Sequence, residues 1–132
     1  ENGGLYLSLL LKPAKRTSSI ADLSIKTGQA AALALEEMFN LKTEIKLPND
    51  VLVKTKQGDK KICGVLIESA VSSDKLEWMI VGIGVNLNNK VSKSLNAANV
   101  KDLIKKEVDI KAFRETFLKY FAVKYIEWQL SK

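Results

Sequence analysis

The residues best equipped for chemistry lie between Lys46 and Asn86. Lys46-Leu47-Pro48-Asn49-Asp50 sets a carboxylate on a turn. Pro48 removes a backbone donor and restrains the residue before it, so a strand should end near Ile45 or Lys46. Lys60-Lys61 opens the apolar run Ile62–Ala70, and Gly82-Ile83-Gly84-Val85-Asn86 closes the next one. Gly64, Gly82 and Gly84 sit inside strand-like sequence, where glycine weakens a strand unless something must approach the backbone closely. An acid, a lysine, an asparagine and bare backbone on adjacent strands predict a ligand cleft over a sheet. An ammonium in a partly desolvated cleft favours clustered negative charge. A carboxylate beside it suits a proton acceptor or an orienting group. From spacing alone Asp50 reads equally as a turn cap, Asn49 as a turn residue, and Asn86 as the end of a strand. Adjacent strand residues face opposite ways, so only one of Lys60 and Lys61 enters the cleft, and register with Gly64 selects Lys61.

The order Lys-x-Pro-Asn-Asp, then Lys-x-x-Gly-x-Leu-x-Glu, then Gly-x-Gly-x-Asn resembles the catalytic core of biotin–protein ligases. Gly4-Leu5-Tyr6-Leu7-Ser8 and the alanine-rich stretch from Gly28 to Leu35 resemble the strand and helix that precede that core, so the resemblance extends over most of the chain. Leu47 stands where the family usually has tryptophan. The family's Gly/Arg-rich loop, which comes before the strand at Leu5, has no counterpart from Glu1 onward. Residues 1–132 therefore read as one partial catalytic domain.

The resemblance implies an α+β fold, with a mixed, largely antiparallel sheet and helices packed on one side. It implies activation of biotin by ATP as biotinyl-5'-AMP, with Mg²⁺ accompanying the ATP. Transfer to a lysine of a biotin carboxyl carrier protein would follow, in the cytoplasm. Lys61 would contact the biotin carboxylate and the phosphate. Asp50 would hold Lys61 and receive the carrier lysine. Gly64, Val65 and Leu66 would wall the biotin pocket, Gly84 would leave room for the nucleotide, and Asn86 would lie near the adenylate. Asn49 would support the turn or touch the ligand, and the place of Glu68 stays open. A homodimer through a sheet edge is a further implication. A ligase for lipoate or another acyl acid, or a ligase-like binding module without catalysis, fits the same motifs.

Three helices and a run of strands must position these groups. Leu5–Leu11 reads as a buried strand, bounded by Gly3-Gly4 and Pro13. A helix follows to about Phe39, capped by Ser18 or Ser19, with Asp22 in its positive first turn. Its apolar face comprises Ile20, Leu23, Thr27, Ala30, Ala31, Ala34 and Met38. Strands are expected at Lys42–Lys46, Val51–Thr55, Ile62–Ala70 and Leu76–Leu87, with hairpin signals at Gln57-Gly58-Asp59 and Val71–Lys75. The nearly continuous apolar run after Lys61 predicts a strand buried on both faces. Asn88–Asn96 reads as a polar, mobile loop. Asn99 should cap a short helix over Val100–Glu107, and Asp109 a longer one over Ile110–Leu130. The long helix carries a core stripe of Ile110, Phe113, Phe117, Phe121, Tyr125 and Trp128. The pattern is a strand–helix–strand start followed by an antiparallel meander.

Composition narrows the functional classes. With no histidine, a Ser-His-Asp triad and a His-ligated metal site are excluded within the chain. One cysteine, Cys63, cannot form an internal disulfide, which fits a reducing compartment. No apolar run approaches the roughly 20 residues a membrane span needs. The third glycine of a dinucleotide fingerprint is missing after Gly84, and no P-loop is present. The net charge of +6 is concentrated after residue 75. Of the basic residues only Arg16 and Arg114 are arginine, which argues against reading base edges in nucleic acid.

Overall fold

The computed structural model describes residues 3–13, 20–73, 75–92 and 94–131. The elements are β1 (Leu5–Leu11), α1 (Ile20–Phe39), β2 (Thr43–Lys46), β3 (Asp50–Thr55), β4 (Gly58–Ser72), β5 (Lys75–Val85), α2 (Val100–Ile104) and α3 (Ile110–Leu130). The five strands form one sheet in the order β1-β5-β4-β3-β2. Every pairing of named strands is antiparallel. The only parallel pairing among the described residues is an isolated bridge between Lys61 and Ala97. The expected α+β meander is therefore present, with β1 returned to the open side of β5.

The register shows how the sequence pattern builds two faces. Leu5, Val85, Cys63, Val51 and Ile45 lie in one row across the sheet, and the first four are buried. The neighbouring row is Tyr6, Gly84, Gly64, Asp50 and Lys46, which faces the other way. Period-two alternation thus separates an apolar core face from the row that carries the chemistry.

Both long helices share the core on the first face. α1 lies close to β2 and β3: an added Cβ at Gly28 would sit 3.5 Å from Ile45 Cδ1 and 3.6 Å from Val51 Cγ2. Its buried residues include Leu23, Thr27, Ala30, Ala31 and Ala34, and also Leu35, which the expected stripe omitted. Leu35 lies seven residues on from Gly28, on the side of α1 that faces β2 and β3. Phe39 stacks on Phe113 at 5.9 Å, and the aromatic stripe of α3 continues through Phe117, Phe121, Tyr125 and Trp128. Outside the core, Tyr120 Oη donates to Glu37 Oε1 at 2.5 Å, holding that carboxyl below the usual range and tying the helices together.

Four expectations need correction. β1 is not a buried strand: Leu5 is covered, whereas Tyr6 and Leu10 on its other face are open to solvent. β4 is not buried on both faces: Val65 is covered, whereas Leu66 beside it is 63% exposed. Its apolar run serves the core on one side and an open surface on the other. The second helix stops at Ile104, because Lys105 takes a left-handed conformation (φ 61°) and its N–H turns back to Lys101 O. Asn88 and Asn89 are anchors. Asn88 Nδ2 donates to Val108 O, and Val108 N–H donates back to Asn88 Oδ1, both at 2.8 Å. Gly3 supports this loop with a backbone only glycine adopts readily (φ 103°), and any Cβ there would meet Asn89 N at 2.8 Å. The Asn99 and Asp109 caps are present, donated to by Asp102 N–H at 2.7 Å and Ala112 N–H at 3.1 Å. The Ser18 and Ser19 caps lie outside the described residues.

Candidate functional site

Asp50 opens β3 directly after the Leu47–Asn49 turn. Val65 N–H donates to Asn49 O at 2.9 Å, so the turn is fastened across to β4. Ser24 Oγ on α1 donates to Pro48 O at 3.3 Å. The carboxylate is therefore carried by a short hairpin tied at two points.

Lys61 reaches the same place by a less regular route. Lys61 and Gly64 are three apart, and strict alternation would put Lys60, not Lys61, on the Gly64 face. A bulge resets the count. Val51 pairs with Cys63 and Leu52 with Lys61, which leaves Ile62 without a partner on β3. Lys61, and not Lys60, therefore lines the cavity beside Gly64, by virtue of a bulge that the alternation argument did not contain. Lys60 instead turns toward Asn96 Oδ1, at 3.4 Å from its Nζ.

Beyond Val85, β5 no longer flanks β4, and the segment 96–98 takes its place. Lys61 N–H donates to Asn96 O, and Ala98 N–H donates to Lys61 O, both at 2.9 Å. The lysine backbone is thus fixed on both sides. Its Nζ stands 3.1 Å from Asp50 Oδ1, with the aspartate side chain 24% and the lysine 49% exposed. At that exposure the pair itself is worth about 1 kcal/mol or less. A ligand that excludes water would raise the effect of both charges.

Asn49, Asp50, Lys61, Gly64, Val65, Leu66 and Gly84 line one cavity of about 370 Å³. Gly64 matters for space: an added Cβ would stand 3.2 Å from Lys61 Nζ. Asn86 does not join this cavity. It lines a neighbouring one of about 510 Å³ with Asn89, Lys90, Ser92 and Leu95. Tyr6 belongs to both. Its ring lies over Gly84, with Cδ1 3.6 Å from where a Cβ would be, so the space above that glycine holds an aromatic wall.

Sequence reasoning did not select Tyr6, Asn89 or the 96–98 segment. Tyr6 follows Leu5 on a strand, so alternation alone turns it to the open face. Its pairing with Gly84 is a matter of register, which no local signal carries.

The chemistry of the pair is a cation and a carboxylate at the mouth of a bare-backbone cleft, with an amide-lined cleft beside it. A family model described as the biotin/lipoate A/B protein ligase family matches residues 1–86. The chain belongs to this family. Relatives include the bifunctional ligase/repressor BirA of Bacillus subtilis, 32% identical over 90 residues, covering 68% of this chain and 26% of that protein. A biotin–[acetyl-CoA-carboxylase] ligase of Paracoccus denitrificans is 36% identical over 91 residues, covering 64% of this chain and 35% of its own length. Among solved structures, the biotin protein ligase of Aquifex aeolicus in complex with biotin and ATP superposes with TM-score 0.78. It is 33% identical, and the match covers 96% of this chain and 52% of that one. The chain thus spans about half of that ligase and about a quarter to a third of the curated relatives. Within the family fold, Lys61, Asp50 and the glycine row occupy the open face of the sheet, and every long helix lies behind it.

Proposed function

We propose that this chain is the core of an ATP-dependent biotin–protein ligase. The observation that carries the reading is the Lys61–Asp50 pair, 3.1 Å apart in a cavity walled by Gly64 and Gly84. Support also comes from the family and from a relative of the same fold solved with biotin and ATP.

Biotin's carboxylate oxygen attacks the α-phosphorus of ATP, the bond to the bridging oxygen breaks, and pyrophosphate leaves. Lys61 stabilises the negative charge gathered there, because a fixed ammonium needs no reorganisation as charge develops. The amine of a carrier lysine then attacks the mixed anhydride carbonyl and expels AMP. Asp50, which lines the cavity, takes the proton the amine loses. Gly64, Val65 and Leu66 give the fused ring a flat, partly apolar wall.

Mg²⁺ would enter with the nucleotide. No group of three or more Asp, Glu, Cys or His side chains is placed to hold a metal among the described residues. Among the described residues Asp50, already paired with Lys61, is the one carboxylate lining the cavity. This fits an ion held chiefly by phosphate oxygens.

The partner in the second step is a biotin carboxyl carrier protein domain, and a homodimer through a sheet edge remains part of the proposal. The chain itself is read as neither a nucleic-acid binder nor a membrane protein. Among the described residues no helix is long and apolar enough to cross a membrane. We place the protein in the cytoplasm.

The test incubates the chain, with any adjoining segment its gene encodes, with biotin, ATP, Mg²⁺ and a carrier domain. Biotinylated carrier is expected, and Lys61→Ala should abolish it. Full activity in that variant would remove Lys61 from the mechanism. Side-by-side calorimetry with biotin and lipoate decides the acid, and a preference for lipoate would displace biotin.

A further inference from the structure

The second cavity has a hydrogen-bond polarity that can be worked out from one backbone donor. Leu87 N–H lies 2.9 Å from the near end of the Asn89 side chain. A backbone N–H can only donate, so that end is Oδ1. The other end of Asn89 is therefore Nδ2, which donates to Asn86 at 3.0 Å. The Asn86 atom that receives it must be Oδ1. Asn86 Nδ2 is then turned away from Asn89, and it has no partner among the described residues.

The arrangement is locked from outside. Asn89 is 4% exposed. Its carbonyl accepts from Asn99 Nδ2 at 2.7 Å, and Asn99 Oδ1 accepts from Asp102 N–H at 2.7 Å. The Asn86 backbone is held as well, its N–H donating to Ile62 O at 2.9 Å and its carbonyl accepting from Val100 N–H at 3.1 Å. Reversing the Asn89 amide would set an NH₂ against the Leu87 N–H and strand two buried donors.

We propose that Asn89 is a positioning residue. It fixes the Asn86 amide so that the cavity shared by Tyr6, Asn86, Lys90 and Ser92 presents a donor, and so selects a ligand rich in acceptor oxygens. Lys90 on the same wall adds a cation. Under the function proposed above, that ligand is the nucleotide. This identity rests on that reading, whereas the polarity does not.

The first measurement needs no ligand and no variant. In the ¹⁵N-labelled chain, the Asn89 side-chain amide should be protected from solvent exchange and the Asn86 amide should exchange fast. The opposite order overturns the proposal. In Asn89→Asp, the carboxylate keeps the bond from Leu87 N–H but cannot donate, so the Asn86 amide should rotate, bond to it and become protected. An Asn86 amide that stays unprotected also overturns the proposal.

The second measurement is ATP and biotin affinity by calorimetry. Asn89→Asp should weaken ATP about threefold to tenfold, the value of one lost hydrogen bond, and leave biotin unchanged. In an Asn86→Ala background the same change should have no further effect on ATP. An undiminished loss in that background would mean that Asn89 acts on the fold alone. Should Asn89→Asp fail to fold, Asn86→Asp removes the donor while still accepting from Asn89, and must weaken ATP selectively. If the unaltered chain binds no ATP but shows the expected exchange order, the positioning stands and the nucleotide reading falls.

Discussion

At Gly64 the smallest possible change separates folding from chemistry. A methyl there would lie 3.2 Å from Lys61 Nζ and 3.3 Å from its Cε, atoms at the free end of a flexible side chain. Gly64→Ala should therefore keep the melting temperature and displace the lysine tip, with ligation falling about tenfold or more. Cys63, the residue before it, faces the opposite way and is buried in the core. Burial pushes its thiol up from 9.0 to about 12. A group whose folded pKa is raised stabilises the fold fully below its unfolded value and loses that contribution as pH rises toward the folded one. The urea midpoint should therefore fall more between about pH 8 and about pH 10.5 for the wild type than for Cys63→Ala. At this scale the sequence was informative about residue type. Asp50 stood out on its turn and Lys61 at the start of an apolar run, and they do meet. Tyr6 and Asn89 did not stand out, because their partners are set by register and by a loop, neither of which leaves a local trace.

Among the elements, α1 offers the clearest test of packing. An added Cβ at Gly28 would touch Ile45 and Val51 at ordinary contact distances. Gly28→Ala should therefore stabilise the chain, by about 0.5–1 kcal/mol from backbone entropy, read as a higher denaturation midpoint. The starts of α2 and α3 were legible because caps and apolar spacing agree, at Asn99 and Asp109. The strand boundaries came out within a few residues because proline, glycine and turn residues mark where the apolar runs stop. What was not legible was the bulge at Ile62. An apolar residue in an apolar run looks the same whether it is paired or extra, and the face that Lys61 adopts depends on that difference. The one-sided exposure of β4 was also hidden, since Leu66 is as apolar as the buried Val65. Its surroundings, not its type, decide its burial.

Over the whole molecule the two faces of the sheet are unequal. Helices and core occupy one. The other leaves Tyr6, Leu10, Leu66 and Trp78 open to solvent. Exposed apolar patches of this kind favour association. The isolated chain should sediment with a concentration-dependent mass, and Leu10→Lys should reduce that dependence while leaving the circular-dichroism spectrum unchanged. On the covered side, Phe117→Ala should cost about 3–5 kcal/mol, measured by urea unfolding, because the ring is fully enclosed.

The bridge between Lys61 and Ala97 has a consequence for how the protein is made. The lysine is clamped by residues that leave the ribosome some 35 positions after it, beyond the stretch that the family model matches. All five strands and Asp50 precede Asn96 in the chain, so a segment that ends before it has a lysine fastened on the β3 side only. The pair is complete only once that later segment has been made.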